Sequence, residues 1–427
     1  MMSTYAIIGA GPSGLASARA LSRRGIRVEG YEASHGVGGL WDITNPRSTV
    51  YESAHLISSR TTTEFAEFPM RTSVDYPGHR VLLEYFRDYA EHFGLTSLFR
   101  FGTTVTRLES RDGGWDLTST GPDGERTRRY DGVVLANGTL AHPNVPDVTG
   151  EFAGEILHTS DYKNAGQLAG KRVLLIGAGN SGCDIAVDAV HRAASVDMSV
   201  RRGYYFVPRY LFGRPSDTLN QGKPLPPRIK QAIDSRVLRA FTGDPARFGF
   251  PKPDYRIYES HPIVNTLILH HLGQGDLRIR PDVERFDGTA VRFRDGSSGE
   301  YDLVLLATGY TLDYPFVDRA HLHWQGASPR LFLNMFPVSF NGLFVMGMIE
   351  ASGIGWQGRY EQAELLAAYL DAAPEKAAAF RDRVTGEPWP DVTGGYHYLG
   401  LDRMAYYVNK DAYRAAVRRE KAALDGS

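Results

Sequence analysis

The chain has 427 residues, of which 42% are hydrophobic and 23% are charged, a composition typical of a soluble globular protein with two or three domains. Its formal net charge of −1 argues against nucleic acid or a membrane surface as an electrostatically bound partner. The single cysteine, Cys183, excludes an intrachain disulfide and a redox-active dithiol. An apolar strand starts almost at the N-terminus and no apolar run has the length of a membrane span, so we expect a cytoplasmic protein.

The first apolar strand, 5–8, leads into a glycine-rich turn that opens a helix predicted over 15–24. This is the context that a dinucleotide fingerprint requires, because glycines let a pyrophosphate approach the backbone at the helix N-terminus. A second strand, 26–31, ends at an acidic residue placed where a carboxylate binds a ribose hydroxyl. The predicted contacts of this first dinucleotide are Gly9, Gly11, Pro12, Ser13, Gly14 and Glu32.

The stretch that follows predicts the rest of a first domain. A helix is expected over 80–93, because its apolar residues recur at helical spacing. Strands are expected at 99–109 and 115–120, separated by a turn signal, and a buried strand at 133–136. Pro143 and Pro146 mark the exit from this domain.

A second glycine-rich turn belongs to a unit of its own, with a strand at 172–176, a helix at 182–193 and a strand at 196–200. Its predicted dinucleotide contacts are Gly177, Gly179, Asn180, Ser181, Gly182 and Cys183. Arg201 and Arg202 stand where the first unit has its acid. Because an arginine can bind a 2′-phosphate that a carboxylate would repel, this site is predicted to prefer NADPH to NADH.

The two glycine units predict an α/β fold with two Rossmann-like dinucleotide-binding domains, the NADPH domain inserted into a discontinuous FAD domain. The expected boundaries are 1–165 for the first part of the FAD domain, 166–300 for the NADPH domain and 301–427 for the second part of the FAD domain. An apolar strand at 303–307 is expected to return the chain to the first domain. The segment 203–260 has no clear periodicity and receives no assignment.

A segment just before the second glycine turn, Phe152 to Tyr162, has the spacing Phe-x-Gly-x-x-x-His-x-x-x-Tyr. In spacing and position it resembles the fingerprint of the class B flavoprotein monooxygenases. The stretches 38–41 and 307–310 resemble that family's flavin-contacting loop and its second domain-crossing motif. The stretch 180–186, and a Tyr-Lys pair at the end of the fingerprint, are similar to the flavin-containing monooxygenase branch.

The resemblance implies an FAD- and NADPH-dependent monooxygenase that forms a C4a-(hydro)peroxyflavin with O2 and oxygenates a nitrogen or sulfur atom of a small organic substrate. The flavin supplies the oxygen chemistry, so no metal is required. It further implies that the fingerprint residues Phe152, Gly154, His158 and Tyr162 couple the domains and position NADP. Additional cofactor contacts are expected from Gly39, Leu40, Trp41, Val105, Ala136, Thr308, Gly309 and Gln357, with Gly353 and Trp356 nearby. A homodimer is the default expectation.

One stretch departs from the family pattern. In the flavin-containing branch an asparagine important for oxygenation precedes a lysine by a few residues, whereas the corresponding stretch here, 56–65, contains no asparagine. Ser58 or Ser59 is expected to supply a hydrogen bond near the nicotinamide or the flavin, and Arg60 to take the place of the lysine. These three residues are the catalytic candidates.

Other functions share the two glycine turns. A Baeyer–Villiger monooxygenase acting on a ketone would need an arginine over the flavin, and none is identified. An NADPH oxidase or a ferredoxin-type flavin reductase lacks the fingerprint that contains His158. A disulfide reductase of the same architecture needs a pair of cysteines, which this chain does not have. A protein that binds dinucleotides without catalysis is a further class, and purification without FAD would favour it.

Overall fold

A computed structural model describes residues 3–220, 224–339 and 341–426. The chain forms two compact units. The first contains the residues up to Ser48, Arg60–Ala141 and the chain from Thr311 onward. The second contains Thr49–Ser59 and His142–Tyr310. One unit is therefore inserted into the other along the sequence.

The helices and strands of the described residues are numbered in chain order. The α-helices are α1 (Pro12–Arg23), α2 (Arg60–Thr63), α3 (His79–His92), α4 (Asn180–Val190), α5 (Pro227–Thr242), α6 (Leu267–Gln274), α7 (Gly355–Asp371), α8 (Pro374–Thr385) and α9 (Lys410–Asp425). The strands are β1 (Thr4–Ile8), β2 (Arg27–Tyr31), β3 (Phe99–Arg100), β4 (Thr104–Arg111), β5 (Gly114–Gly121), β6 (Gly124–Tyr130), β7 (Gly132–Leu135), β8 (His142–Pro143), β9 (Glu155–His158), β10 (Arg172–Ile176), β11 (Ser195–Ser199), β12 (Tyr210–Leu211), β13 (Arg214–Pro215), β14 (Arg278–Arg280), β15 (Val283–Asp287), β16 (Ala290–Phe293), β17 (Ser298–Glu300), β18 (Leu303–Leu306), β19 (Tyr310–Thr311), β20 (Trp324–Gln325), β21 (Ser328–Pro329) and β22 (Leu343–Val345).

The first unit is built on a five-stranded parallel sheet with the order β22-β7-β1-β2-β3. The helix α1 connects β1 to β2 and packs against α7. The inner strand β7 is buried along its whole length, as expected for a parallel strand covered on both faces. An antiparallel meander, β4-β5-β6, contributes Trp115 and Leu117 to the same apolar core as Leu135.

The second unit repeats this plan. Its five-stranded parallel sheet has the order β14-β11-β10-β18-β9, and α4 connects β10 to β11. An antiparallel meander, β15-β16-β17, packs Phe286 and Phe293 against Leu174 and Leu306 of the sheet. Both units therefore combine a parallel sheet with a three-stranded antiparallel meander.

Strand pairing shows where the chain passes between the units. Both β9, which precedes residue 166, and β18, which follows residue 300, pair within the second sheet. The expected boundaries at 166 and 300 therefore fall inside the second unit, because strands distant in sequence complete its sheet. The segment 203–260, left without assignment by the sequence, contains the β12-β13 hairpin and α5 within this unit.

Candidate cofactor-binding sites

The first glycine turn joins β1 to α1 in a conformation that requires glycine. Gly9 has φ +106°, a left-handed value that side chains disfavour, and a β carbon there would lie 2.5 Å from the carbonyl oxygen of Ala136. A β carbon on Gly14 would overlap the carbonyl oxygen of Gly9. Glycine at these two positions therefore lets the turn lie directly against the neighbouring backbone.

The N-terminus of α1 is suited to bind an anion. Its N-cap, Gly11, has no side chain to cap the helix, and Pro12 occupies the first turn. Within the described residues no acceptor is found for the backbone amides of Ser13 and Gly14. Free amides at the positive end of a helix dipole are the recurring binding site for phosphate groups.

A loop closes around this turn. The amide of Gly38 donates to the carbonyl of Ala10 at 3.1 Å, and a β carbon on Gly39 would lie 3.0 Å from the α carbon of Gly11. The expected contacts Gly39, Leu40 and Trp41 form a single 3-10 turn here, in which Ser48 Oγ donates to the Leu40 carbonyl at 2.5 Å. The structure thus brings this loop against the first glycine turn.

Glu32 lies directly after β2 and is buried. Its Oε2 accepts a hydrogen bond from the amide of Ala10 at 2.7 Å, and its Oε1 accepts one from the amide of Ser34 at 2.8 Å. These bonds hold the carboxylate beside the glycine turn. Because each carboxylate oxygen has a second lone pair, both can still accept from a ribose diol.

The second glycine turn, between β10 and α4, repeats the backbone of the first. Gly177 has φ +105°, and a β carbon there would lie 2.5 Å from the carbonyl oxygen of Ala307. A β carbon on Gly182 would overlap the carbonyl oxygen of Gly177. The N-cap Gly179 again has no capping side chain, and among the described residues the amides of Asn180 and Ser181 have no acceptor.

The side chains around the second turn have separate tasks. Asn180 braces a neighbouring segment, since its Nδ2 donates to the Pro262 carbonyl at 3.2 Å and its Oδ1 accepts from the Val264 amide at 2.7 Å. Cys183 is fully buried, and burial raises the pKa of its thiol well above the ordinary value. A protonated, enclosed thiol packs against the turn and is unreactive.

Arg201 and Arg202 follow the end of β11, but the residue that has the position of Glu32 is Val200, so the arginines lie one and two residues further along the chain. Arg201 is exposed and Arg202 is partly exposed. In the described part of the chain neither side chain has a carboxylate within 4.0 Å. Both cations are thus available to an anionic ligand.

The fingerprint segment is tied to the second crossing motif. The ring of His158 lies between the Ser160 hydroxyl, 3.0 Å from Nδ1, and the Gly309 carbonyl, 3.1 Å from Nε2. The amide of Ser160 also donates to Nδ1 at 3.1 Å, which makes Nδ1 the acceptor and Nε2 the donor in a neutral ring. Burial lowers the pKa of His158 and so favours this neutral form.

The other fingerprint residues have structural contacts in the second unit. The ring of Phe152 packs 5.4 Å from that of Phe286, and a β carbon on Gly154 would lie 2.6 Å from the carbonyl oxygen of Asp302. The Tyr162 hydroxyl donates to Asp188 Oδ2 at 2.9 Å. Each of these three residues therefore lies against another segment of this unit.

Two acids on α4, Asp184 and Asp188, were not identified from the sequence. Besides the Tyr162 hydroxyl, Asp188 binds Ser53, whose Oγ donates to it at 2.5 Å. Asp184 accepts from the side-chain amide of Asn265 at 2.6 Å and from the Tyr51 hydroxyl at 3.3 Å. They anchor the segment Thr49–Ser59 to α4. The signal available in the sequence was a pair of acids four residues apart in an otherwise apolar helix.

The catalytic candidates lie in different surroundings. Ser59 is fully buried in the second unit, where its amide and hydroxyl donate to Asp217 Oδ2 at 2.8 and 3.0 Å. Ser58 is partly buried beside it. Arg60 begins α2 of the first unit and lies 3.9 Å from Glu64. The three residues are consecutive in sequence but divide between the units.

Further expected contacts gather at the start of α7. The rings of Trp41 and Trp356 meet edge to face at 6.1 Å. Gln357 Oε1 accepts from the amide of Ala66 at 2.8 Å. Trp356 is therefore adjacent to the loop that closes around the first glycine turn, whereas Val105 lies in the apolar core beside Tyr31.

Near the second turn, Thr308 and Gly309 follow β18 and receive contacts from Asn144. Thr308 Oγ1 donates to the Asn144 carbonyl at 2.5 Å, and the Asn144 amide donates to the Gly309 carbonyl at 2.9 Å.

Throughout the described ranges no helix is long and apolar enough to cross a membrane, and no group of three potential metal-binding side chains occurs.

Known proteins resemble this chain in sequence and in fold. The model of the flavin-binding monooxygenase-like family matches residues 3–369. Flavin-containing monooxygenase 5 of Oryctolagus cuniculus is 31% identical over 373 residues, which cover 82% of this chain and 69% of that protein. The S-allyl-L-cysteine S-oxygenase of Allium sativum has a TM-score of 0.70 at 19% identity, covering 99% of this chain and 89% of its own. Cyclohexanone monooxygenase from Rhodococcus sp. Phi1, bound to NADP+, has a TM-score of 0.73 at 18% identity, covering 100% and 97%.

The chain belongs to the flavin-binding monooxygenase-like family. It is a monooxygenase that uses FAD, NADPH and O2 on a small-molecule substrate, as the resemblance of its motifs implied. The α/β fold with two Rossmann-type domains is confirmed, and the Baeyer–Villiger alternative is not favoured.

Proposed function

We propose that the first unit binds FAD, that the second binds NADPH, and that the enzyme oxygenates a soft nucleophilic nitrogen or sulfur atom. The observation that carries the assignment is the pair of equivalent glycine turns, with a buried carboxylate bonded to the first and, shortly after the next strand of the second unit, two arginines that have no carboxylate within 4.0 Å among the described residues. When bound, FAD and NADPH supply the hydride and oxygen chemistry.

In this proposal the protein residues bind and orient the cofactors. The free amides at the N-termini of α1 and α4 hold the two pyrophosphates, and Glu32 accepts hydrogen bonds from the FAD ribose. Arg201 binds the 2′-phosphate of NADPH through its planar guanidinium, with Arg202 adding charge. Neutral His158 holds the Gly309 carbonyl and takes no proton from the substrate.

The catalytic candidates keep distinct proposed roles. Ser58 and Arg60 would supply polar groups beside the reacting cofactors, in the place of the family's asparagine and lysine. Ser59 would hold this stretch of chain in position for the other two residues, because its amide and its hydroxyl are both bonded to Asp217. The substrate class follows from the likeness of the fingerprint to the flavin-containing branch and from the relatives named flavin-containing monooxygenase.

The test uses the purified enzyme with a tertiary amine, a thioether and a cyclic ketone as probe substrates. We expect NADPH- and O2-dependent formation of an N-oxide or a sulfoxide, with little lactone from the ketone. The yields of product and of hydrogen peroxide are measured against the NADPH consumed. Lactone as the main product, or peroxide in stoichiometric yield with every probe, would contradict the proposed oxygenation.

Two further features belong to the proposal. The single cysteine supports action in a reducing, cytoplasmic compartment. A homodimer is the default oligomeric state of such a protein. Light scattering coupled to size-exclusion chromatography distinguishes a dimer from a monomer.

A further inference from the structure

Arg359 is a largely enclosed cation in the second turn of α7. Its Nη1 donates to the carbonyl of Gly355 at 2.8 Å, and its Nη2 donates to the carbonyl of Ile349 at 3.3 Å. In the described parts of the chain no carboxylate oxygen comes within 4.0 Å of its nitrogens. Burial lowers the pKa of Arg359, and the neighbouring Glu350 acts in the opposite direction.

The position of Arg359 relates it to the first glycine turn. Gly347, just after β22, has φ +80°. A β carbon on Gly347 would overlap Ser13 Oγ and would lie 3.8 Å from Arg359 Nε. The arginine and the first turn of α1 therefore lie on the same side of Gly347, where the missing side chain leaves the backbone open.

Several other arginines of the first unit have carboxylate partners. Arg24 contacts Asp371 at 3.1 Å and Asp425 at 2.7 Å, and Arg414 binds Glu361 through two nitrogens. A cation taken out of water without a counter-ion lowers the stability of the folded state. Among the described residues, Arg359 forms no such ion pair, and Glu350 acts on it only from beyond 4.0 Å.

We propose that Arg359 is a further FAD-binding residue, whose counter-ion is the pyrophosphate held at the N-terminus of α1. This inference rests on the proposed assignment of FAD to the first unit. The pyrophosphate carries two negative charges, and the α1 amides and the guanidinium together compensate them. The two backbone carbonyls that Arg359 contacts fix the direction of its side chain.

The proposal predicts opposite effects on the apoprotein and on FAD binding. Replacing Arg359 by Gln removes a buried cation that has no ion pair among the described residues, so the apoprotein should be as stable as the wild type or more stable. The same change should weaken FAD binding by about 10- to 100-fold, the range expected for lost hydrogen bonds to a charged group. A purely structural role would instead lower the stability of the apoprotein.

The experiment uses the full-length apoprotein, prepared so that added FAD restores the wild-type flavin content. Dissociation constants for FAD and for ADP are measured by fluorescence titration and calorimetry, and the melting temperature is measured with and without FAD. ADP carries the pyrophosphate without the flavin, so Arg359→Gln should weaken both ligands, and Arg359→Lys should weaken them less. The matched control Arg24→Gln should lower the apoprotein melting temperature and leave FAD affinity unchanged.

Three results would overturn the inference: unchanged FAD affinity in Arg359→Gln, a loss for FAD without a loss for ADP, or a fall in apoprotein stability like that of Arg24→Gln. Gly14→Ala separates this inference from the cofactor assignment. If Gly14→Ala retains FAD, the assignment of FAD to the first unit fails. If Gly14→Ala loses FAD while Arg359→Gln retains it, only the role of Arg359 fails.

Discussion

The two glycine turns have nearly the same backbone but different surroundings. Gly9 and Gly177 have φ values of +106° and +105°, and their amides donate to the carbonyls of Tyr31 and Ser199 at 2.8 and 3.0 Å. After the next strand, the first unit has the carboxylate of Glu32, which is bonded to the turn, whereas the second unit has the exposed Arg201 and the partly exposed Arg202. The backbone thus provides for a dinucleotide in each unit, whereas single side chains distinguish one dinucleotide from the other.

A second difference concerns what stabilises each turn. The first is bound through the Glu32 carboxylate and the loop that contains Gly38. The second is braced by the Asn180 side chain, which bonds the segment at 262–264. Two turns with the same backbone conformation can therefore be stabilised by different contacts. Each turn needs only a strand carbonyl that accepts from the glycine amide and enough room for the backbone.

The largest expected effect comes from filling either turn. Because a β carbon on Gly14 or Gly182 would overlap a backbone carbonyl, Gly14→Val should raise the dissociation constant for FAD by more than about 100-fold. Gly182→Val should do the same for NADPH and leave bound FAD in place. Flavin absorbance and NADPH titration measure the two effects, and Gly36→Ala, which meets no atom within 4 Å, is the control. Loss of FAD in both variants alike would break the comparison.

Arg201→Ala tests whether the arginine in the second unit selects NADPH over NADH. Removal of a charge-assisted contact to the 2′-phosphate should weaken NADPH by about 10- to 100-fold and leave NADH affinity unchanged. The exposed Arg192, at the other end of α4, provides a control that should change neither affinity. Equal losses for NADPH and NADH would mean that Arg201 does not select the phosphate.

Glu32→Gln tests whether the carboxylate beside the first turn contributes to FAD binding. The new amide group would face either the Ala10 or the Ser34 amide, so one of these donors would lose its acceptor. FAD affinity should fall by about 10-fold, and the ratio of NADPH to NADH affinity should stay the same. Flavin fluorescence titration measures the first quantity. Unchanged FAD affinity would remove Glu32 from the site.

The smallest effect is a pH dependence expected for the second unit, in which His158 Nε2 donates to the Gly309 carbonyl. Burial places the pKa of His158 in the folded state below that in the unfolded state, so the unfolded chain binds more protons as the pH falls below about 6.5. The stability contributed by neutral His158 is therefore present above that pH and is lost progressively below it. Urea unfolding at pH 7.5 and 5.5 should show a smaller decrease for His158→Gln than for the wild type, and equal decreases would contradict this role.

The sequence predicted most of the elements that form both sheets. The strand at 172–176 has the predicted bounds, and the helix expected over 80–93 is α3, because periodic apolar residues and glycine turns are local signals. It also indicated Glu32 and the arginine pair, since the dinucleotide fingerprint fixes their distance along the chain. The class of enzyme followed from the fingerprint at 152–162.

The remaining features depend on contacts between distant segments. No local pattern indicates that β9 and β18 complete the second sheet, or that Asp188 holds Tyr162 and Ser53. The burial of Ser59 against Asp217, 158 residues away, could not be read from the stretch around it.

By itself, the sequence determined the two dinucleotide-binding turns, the opposite charges of the side chains that follow the next strand in each unit, and the family. These features depend on residue types at fixed short spacings. Only the tertiary structure decided which strands pair and which charged groups have partners. It alone shows that Arg24 has two carboxylates beside it, whereas Arg359 bonds two backbone carbonyls and, among the described residues, has no carboxylate within 4.0 Å. An ion pair depends on distance in space, and Arg24 and its partners Asp371 and Asp425 come from opposite ends of the chain.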